Sequence, residues 1–242
     1  MTMNKRVLVI IPAYNEADTI RDVIGRLSEH CPDYGLLVVD DGSSDNTSQI
    51  VEDSGIAELV KLPFNLGIGG AMQTGFKYAA RNGYDIAVQC DGDGQHPPED
   101  VNRLVDFVER DVADLIIGSR YVADTGYAPS FGRRVGKSIL SRLVDAMIGG
   151  GITDTTSGFR AANRKVIGLF AQYYPEDYPE PETLVILHKA GLKAAEIPVE
   201  MKPRQGGTTS IGTKHAVYYM VKVGLAIFID AFRRFTHTVE TD

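Results

Sequence analysis

Asp91-Gly-Asp-Gly-Gln-His-Pro-Pro-Glu99 sets two carboxylates two residues apart, directly after the apolar run Asp85-Ile-Ala-Val-Gln-Cys90. Alternating carboxylates on an extended turn aim their oxygens at one small volume. Magnesium and manganese take hard oxygen ligands and keep positions open for water and substrate phosphates. The glycines permit close backbone approach. The stretch therefore has the make-up of a site where a divalent ion grips a nucleotide diphosphate. A solvated acidic turn has the same composition, so the neighbouring elements decide between the two.

Those elements alternate. Short apolar runs at Arg6–Ile11, Leu36–Val39, Leu59–Leu62, Ile86–Cys90 and Leu115–Ile117 read as strands. Helical patterns over Glu16–His30, Asp45–Asp53, Ile68–Asn82 and Pro97–Arg110 separate them, the last with Pro in its first turn. This spacing predicts an α/β fold, a mostly parallel sheet flanked by helices, with ligands bound beyond the carboxyl ends of the strands. The chemistry-bearing residues fall at those ends: Pro12-Ala-Tyr-Asn-Glu16, Asp40-Asp41-Gly42, Asn65-Leu-Gly67 and the Asp91 turn. Acidic clusters gathered on one rim call for an offsetting cation. The glycines at 67–75 do not fit a dinucleotide fingerprint or a Lys-Ser/Thr phosphate loop; they serve either tight helix packing or a nucleotide contact.

The chain of 242 residues suits one large domain. Its net charge of −7 argues against a dedicated nucleic-acid binder. Two distant cysteines, Cys31 and Cys90, form neither a disulfide framework nor a zinc pattern, so a reducing, cytoplasmic setting is expected. No apolar run reaches membrane-spanning length.

The second half is less regular. Phe131–Met147 reads as a helix carrying Arg133, Arg134 and Lys137 in one turn, either a cradle for a lipid phosphate or a solvated basic face. Thr155–Arg160 reads as a loop opening a helix over Asn163–Phe170. The acidic, Pro-rich stretch from Tyr173 leads into a helix from Glu182 to Ala190, then a strand over Ala194–Val199. Lys202–Lys214 has the composition of a mobile lid. Ala216–Phe235 is apolar almost all round, with Lys222, Asp230 and Arg233 on a narrow stripe; such a helix suits a membrane interface, a membrane-protein partner or a dimer. The division expected is a catalytic domain over 1–213 and a C-terminal amphipathic helix and tail over 214–242.

In their order, Pro12–Glu16, Val39–Thr47, Asn65–Gly67, Asp91–Glu99, Gly118-Ser-Arg-Tyr121 and Ser157-Gly-Phe-Arg160 resemble the motifs of family 2 glycosyltransferases. The likeness is greatest to the dolichol- or polyprenyl-phosphate sugar synthases and runs over nearly all of residues 6–210. It implies a GT-A fold that binds a nucleotide sugar with Mg2+ or Mn2+. Pro12, Tyr14 and Glu16 would line the nucleotide pocket, Asp41 would lie near the base or ribose, and Asp40 would support it. Asp91 would sit by the ribose and metal, Asp93 and Gln95 would hold the ion, and Arg120 and Arg204 would face phosphates. The resemblance also expects one acid on the acceptor side, for which the Pro-Glu-Pro-Glu segment offers both Glu180 and Glu182. Where the family's lid usually carries a Lys after Gly-x-Ser, this chain has Thr209-Ser210-Ile211, with Lys214 as a substitute.

The activity implied is inverting transfer of a sugar from a nucleotide diphosphate to a polyprenyl phosphate, at the inner face of a membrane. UDP-glucose, UDP-N-acetylglucosamine and GDP-mannose all remain possible donors. A lipid phosphate is already an anion and needs no general base; a sugar-hydroxyl acceptor would need Glu180 or Glu182 as base. A nucleotidyltransferase would open with a Gly-rich loop after its first strand, which Pro12–Glu16 is not. A silent nucleotide-sugar-binding module would not need the full Asp91, Asp93 and Gln95 set.

Overall fold

In a computed structural model of the protein, residues 5–121, 144, 147–176 and 179–201 are described. Seven strands form one sheet: β1 (Val7–Ala13), β2 (Gly35–Asp40), β3 (Glu58–Lys61), β4 (Ile86–Gln89), β5 (Leu115–Ser119), β6 (Arg160–Asn163) and β7 (Ala194–Pro198). Their spatial order is β3-β2-β1-β4-β6-β5-β7. All neighbours are parallel except β6, which runs antiparallel to β4 and to β5.

Helices cover both faces because β1 is apolar on both sides. Val7, Val9 and Ile11 pack with α1 (Ile20–His30), Val51 of α2 (Thr47–Ser54) and α4 (Val101–Glu109). Leu8 and Ile10 pack with α3 (Gly67–Arg81), α5 (Arg164–Gln172) and α6 (Pro179–Lys189). Gly75 brings α3 onto β1, since a Cβ there would collide with the Ile10 side chain. The glycine-rich stretch thus serves tight packing: Gly69 lies against the backbone of Pro175 and Glu176 as well.

Most expected elements form, with shifted ends. β1 runs on through Pro12 and Ala13, and α1 starts at Ile20 instead of Glu16, because residues 16–19 make a turn closed on the Glu16 carbonyl. The 3-10 turn Pro98–Asp100 precedes α4. Two expectations are corrected. Arg160–Asn163 does not open a helix directly; it is a strand between β4 and β5, and Asn163 then caps α5 by accepting from the Lys165 and Val166 N–H groups. An Arg-Ala-Ala-Asn run has no strand propensity of its own, so pairing on both edges imposes the conformation. α6 begins at Pro179 and not at Glu182, since prolines are tolerated in a first turn that needs no N–H.

Among the described residues no helix is long and apolar enough to cross a membrane. Val144 and Met147 are helical, but the rest of the basic segment with Arg133, Arg134 and Lys137 lies outside the described residues. So do Arg204, Lys214, the 202–214 stretch, the 216–235 helix and hence the proposed boundary at 213.

Candidate active site

After β3 the chain crosses back through α3 to β4 on the other side of β1, so the strand order reverses between β1 and β4. That reversal opens a crevice at the carboxyl ends of these two strands. The loops around it are tied to one another. Asn15 N–H donates to the Ser43 hydroxyl at 2.9 Å, Glu16 N–H to Thr47 Oγ1 at 2.9 Å and Ala17 N–H to Asp45 Oδ2 at 3.1 Å. Asn15 takes a left-handed backbone and its Oδ1 accepts the Ser44 N–H at 2.8 Å. Tyr14 stands exposed at the crest of this junction, while Pro12 is buried beneath it.

Asp40 and Asp41 are both buried, but no cation is needed to offset them. Asp40 accepts the Ser43 N–H at 2.9 Å and a short bond from the Ser48 hydroxyl. Asp41 accepts the Leu66 and Gly67 N–H groups at 2.7 and 2.8 Å. These are orphan donors at the start of α3, where the helix dipole also favours negative charge. Burial raises the Asp41 carboxyl above its ordinary value, and the two N–H bonds pull it part of the way back. Of the acidic clusters expected to call for a cation, the Asp40-Asp41 pair thus has protein donors of its own. Gly42 is required here: its φ is +73°, and a Cβ would lie 2.9 Å from the backbone of Phe64 and Asn65.

The Asp91 turn lies beside these loops, across β1. Gly92 N–H reaches the Pro12 carbonyl at 3.3 Å, and the Gly92 carbonyl accepts the buried Thr19 hydroxyl at 2.7 Å. Asp93 is buried and its Oδ1 accepts the Gln95 N–H at 3.0 Å. Asp91 is partly exposed; its Oδ1 accepts Gln89 Nε2 at 3.2 Å, and its own N–H donates to His96 Nδ1 at 3.0 Å. Asp91, Asp93 and Gln95 thus share one closed turn. Among the described residues no group of three or more His, Cys, Asp or Glu side chains gathers to hold a metal ion by itself. Two carboxylates and an amide oxygen nevertheless fit Mg2+ or Mn2+, which take one or two carboxylates and fill the remaining positions with water and phosphate oxygens.

Strand β6 brings the Thr155–Arg160 loop against this turn. A Cβ on Gly158 would lie 2.8 Å from Gln89 Nε2 and 3.5 Å from Asp91 Oδ2. Arg160, buried, donates to the Ser157 carbonyl at 2.6 Å, the Thr155 carbonyl at 3.2 Å and the Thr183 hydroxyl at 2.8 Å. This ties α6 to the crevice. Burial raises the Glu180 carboxyl, and the Arg160 charge opposes that rise; Asp91 and Arg120 also lie within its electrostatic reach. Residues two apart on a helix face nearly opposite ways, so Glu180 and the buried Glu182 do not share one face of α6. Arg120 is held by Asp154, its Nε and Nη2 each 2.8 Å from a carboxylate oxygen.

Sequence reasoning missed Thr19, Gln89, His96, Asp154, Arg160 and Thr183. His96 and Arg160 lie inside motifs singled out above, and Gln89 ends the apolar run before the Asp91 turn; Thr19, Asp154 and Thr183 carry no local signal, since distant strands and loops supply their partners.

The glycosyl transferase family 2 model matches residues 8–169. Polyprenol monophosphomannose synthase of Mycolicibacterium smegmatis is 38% identical over 172 residues, 67% of this chain and 63% of that protein. The chain therefore spans less than two thirds of that relative's length. UDP-N-acetylglucosamine–dolichyl-phosphate N-acetylglucosaminyltransferase of Methanococcus voltae is 31% identical over 248 residues, 91% of this chain and 98% of that protein. Among solved structures, glucosyl-3-phosphoglycerate synthase of Mycobacterium tuberculosis, crystallised with Mn2+, UDP and phosphoglyceric acid, superposes with a TM-score of 0.74 at 22% identity. The match covers 96% of this chain and 81% of that one, and it shows a shared GT-A fold.

Proposed function

Since the chain belongs to glycosyl transferase family 2, we propose that it moves a sugar from a nucleotide diphosphate sugar to a polyprenyl phosphate, with inversion at the anomeric carbon. The observation that carries this reading is the closed turn presenting Asp91, Asp93 and Gln95 at the switch point between β1 and β4. The relative named as transferring N-acetylglucosamine to dolichyl phosphate, and the one named as a polyprenol monophosphomannose synthase, support the choice of acceptor.

In this reading Asp91, Asp93 and Gln95 hold a divalent ion, Mg2+ or Mn2+, as in the solved complexes of the similar synthase. Bound there, the ion supplies Lewis-acid stabilisation of the departing diphosphate. Pro12, Tyr14 and Glu16 line the nucleotide pocket, with Asp40 and Asp41 setting the shape of its wall. Arg120, kept in place by Asp154, contributes positive charge at the far side of the crevice. Arg204, and Arg133, Arg134 and Lys137 as the acceptor-phosphate cradle, complete the assignment. The acceptor phosphate attacks as an anion, so Glu180 and Glu182 shape the acceptor side and move no proton. The enzyme works at the cytoplasmic face of a membrane, with the C-terminal helix lying on it or docking a membrane partner.

One observation favours a second acceptor class. Burial raises the Glu180 carboxyl, with the Arg160 charge opposing the rise, and a raised carboxylate suits a base for a sugar hydroxyl.

Full-length protein incubated with UDP-glucose, UDP-N-acetylglucosamine or GDP-mannose, polyprenyl phosphate and Mn2+, followed by mass spectrometry, tests the proposal. One donor is expected to yield a glycosylated lipid phosphate, and EDTA or Asp93→Ala to abolish nucleoside diphosphate release. Unchanged turnover by Asp93→Ala would remove the site assignment.

A further inference from the structure

His96 is 5% exposed and sits inside the Asp91 turn. Its ring stacks on Phe159, with centroids 4.9 Å apart and planes at 24°. Phe159 is itself fully buried and packs against Gly118, so the imidazole rests on a core ring. Nδ1 lies 3.0 Å from the Asp91 backbone nitrogen. A backbone N–H only donates, so Nδ1 must be the acceptor, and the neutral ring carries its proton on Nε2. That second nitrogen lies 3.7 Å from Asp91 Oδ2. One ring therefore addresses both the backbone and the carboxylate of the same residue.

We propose that His96 is the positioning residue of the diphosphate site: Nδ1 closes the turn on the Asp91 N–H while Nε2–H faces the Asp91 carboxylate. This rests on the metal-binding reading given above. The role of the ring is geometric. Gln89 Nε2 steers Asp91 Oδ1, His96 faces Oδ2, and the Nδ1 bond sets the backbone from which the side chain projects. Partners of this kind, one bond removed from a ligating group, commonly change metal affinity about 10–100-fold when lost.

Substitution by side chains that place an acceptor at different reach tests the assignment. In His96→Asn, Oδ1 occupies nearly the position of Nδ1. His96→Gln reaches to the Nε2 position and lacks an acceptor at Nδ1, and His96→Phe keeps the stack on Phe159 with no acceptor at all. Mn2+ binding to full-length protein in the presence of UDP is followed by electron paramagnetic resonance, with circular dichroism as the check on folding. His96→Gln and His96→Phe are expected to weaken Mn2+ binding about 10–100-fold, and His96→Asn to stay within about threefold of wild type, because it alone restores the Nδ1 acceptor, while Nε2 at 3.7 Å lies beyond hydrogen-bond distance of Asp91 Oδ2. Equal affinities for the Asn and Gln variants would overturn the role given to Nδ1, whatever the fate of the Phe variant. Wild-type protein that binds no Mn2+ with UDP would overturn the metal-binding reading itself, which is a separate outcome from equal variants.

Discussion

Arg120 and Asp154 meet fork to fork, Nε to Oδ2 and Nη2 to Oδ1, each at 2.8 Å. Asp154 is wholly buried, and its own N–H donates to Glu196 of β7 at 2.6 Å. The edge strand thereby anchors a guanidinium beside the crevice. Removing one partner of a fully buried pair costs about 3–5 kcal/mol, but the Arg120 side chain is 21% exposed and can turn to water when Asp154 is lost. Asp154→Ala should lose about 1–3 kcal/mol in urea unfolding, the cost of the broken bonds. Arg120→Lys should lose less, because an ammonium keeps the charge but not the planar fork. Near-equal midpoints for Asp154→Ala and wild type would show that the pair is not what holds this loop.

Gly158 leaves the space that Gln89 and Asp91 occupy. In Gly158→Ala the new methyl must displace the Gln89 amide, whose Nε2 steers Asp91. The Mn2+ concentration required for half-maximal turnover should rise severalfold, while overpacking costs about 1–3 kcal/mol. A metal requirement identical to wild type would separate the 155–160 loop from the diphosphate site.

Asp41→Asn keeps an acceptor for the Leu66 N–H and turns an NH2 toward the Gly67 N–H, which Asn65 Oδ1 also accepts at 3.0 Å. The expected loss is about 0.5–1.5 kcal/mol, the net worth of one hydrogen bond, read from thermal or urea unfolding at neutral pH. The raised carboxyl of Asp41 means that the folded chain holds this proton more tightly than the unfolded one. Its contribution to stability therefore grows as pH falls through the folded value, and Asp41 does not drive acid unfolding.

Asp85 does. Burial raises its carboxyl, but the Arg6 N–H bond and the Arg164 side chain outweigh burial and hold it below the ordinary 3.8. A depressed carboxylate contributes stability that is present above the unfolded value and lost as pH falls through the folded one. Stability should therefore decline below about pH 4, and Asp85→Asn should flatten that decline. An unchanged acid slope in the variant would assign the loss to other groups.

Glu180→Gln distinguishes the two acceptor classes. With a polyprenyl phosphate acceptor, turnover should fall less than about tenfold, since no proton is removed. With a sugar hydroxyl the loss of a general base costs about 10²–10⁴-fold. A collapse of turnover on polyprenyl phosphate, with folding intact, would argue against the anionic-nucleophile reading.

The sheet was legible in the sequence where burial on both faces leaves a continuous apolar run, as in Val7–Ile11 and Ile86–Val88. The glycines and prolines that punctuate these runs located the functional loops. Asp91, Asp93 and Gln95 were legible as a set because they lie within one turn, where local spacing is already spatial proximity. The strand at Arg160–Asn163 was not, since its conformation comes from neighbours at 86–89 and 115–117. The same reason decided the roles of Asp40 and Asp41. Their residue types suggested an acidic pocket awaiting a cation, but the start of α3 and the Ser48 hydroxyl, brought in by the fold, already satisfy them. His96 shows the boundary most clearly: its place in the motif is sequence, but its tie to Asp91 needs Phe159 beneath the ring. The sequence by itself determined which residues have the chemistry to hold a diphosphate. Only the tertiary structure decided which carboxylates are already committed to backbone donors, because hydrogen-bond partners are set by distance in space and not along the chain.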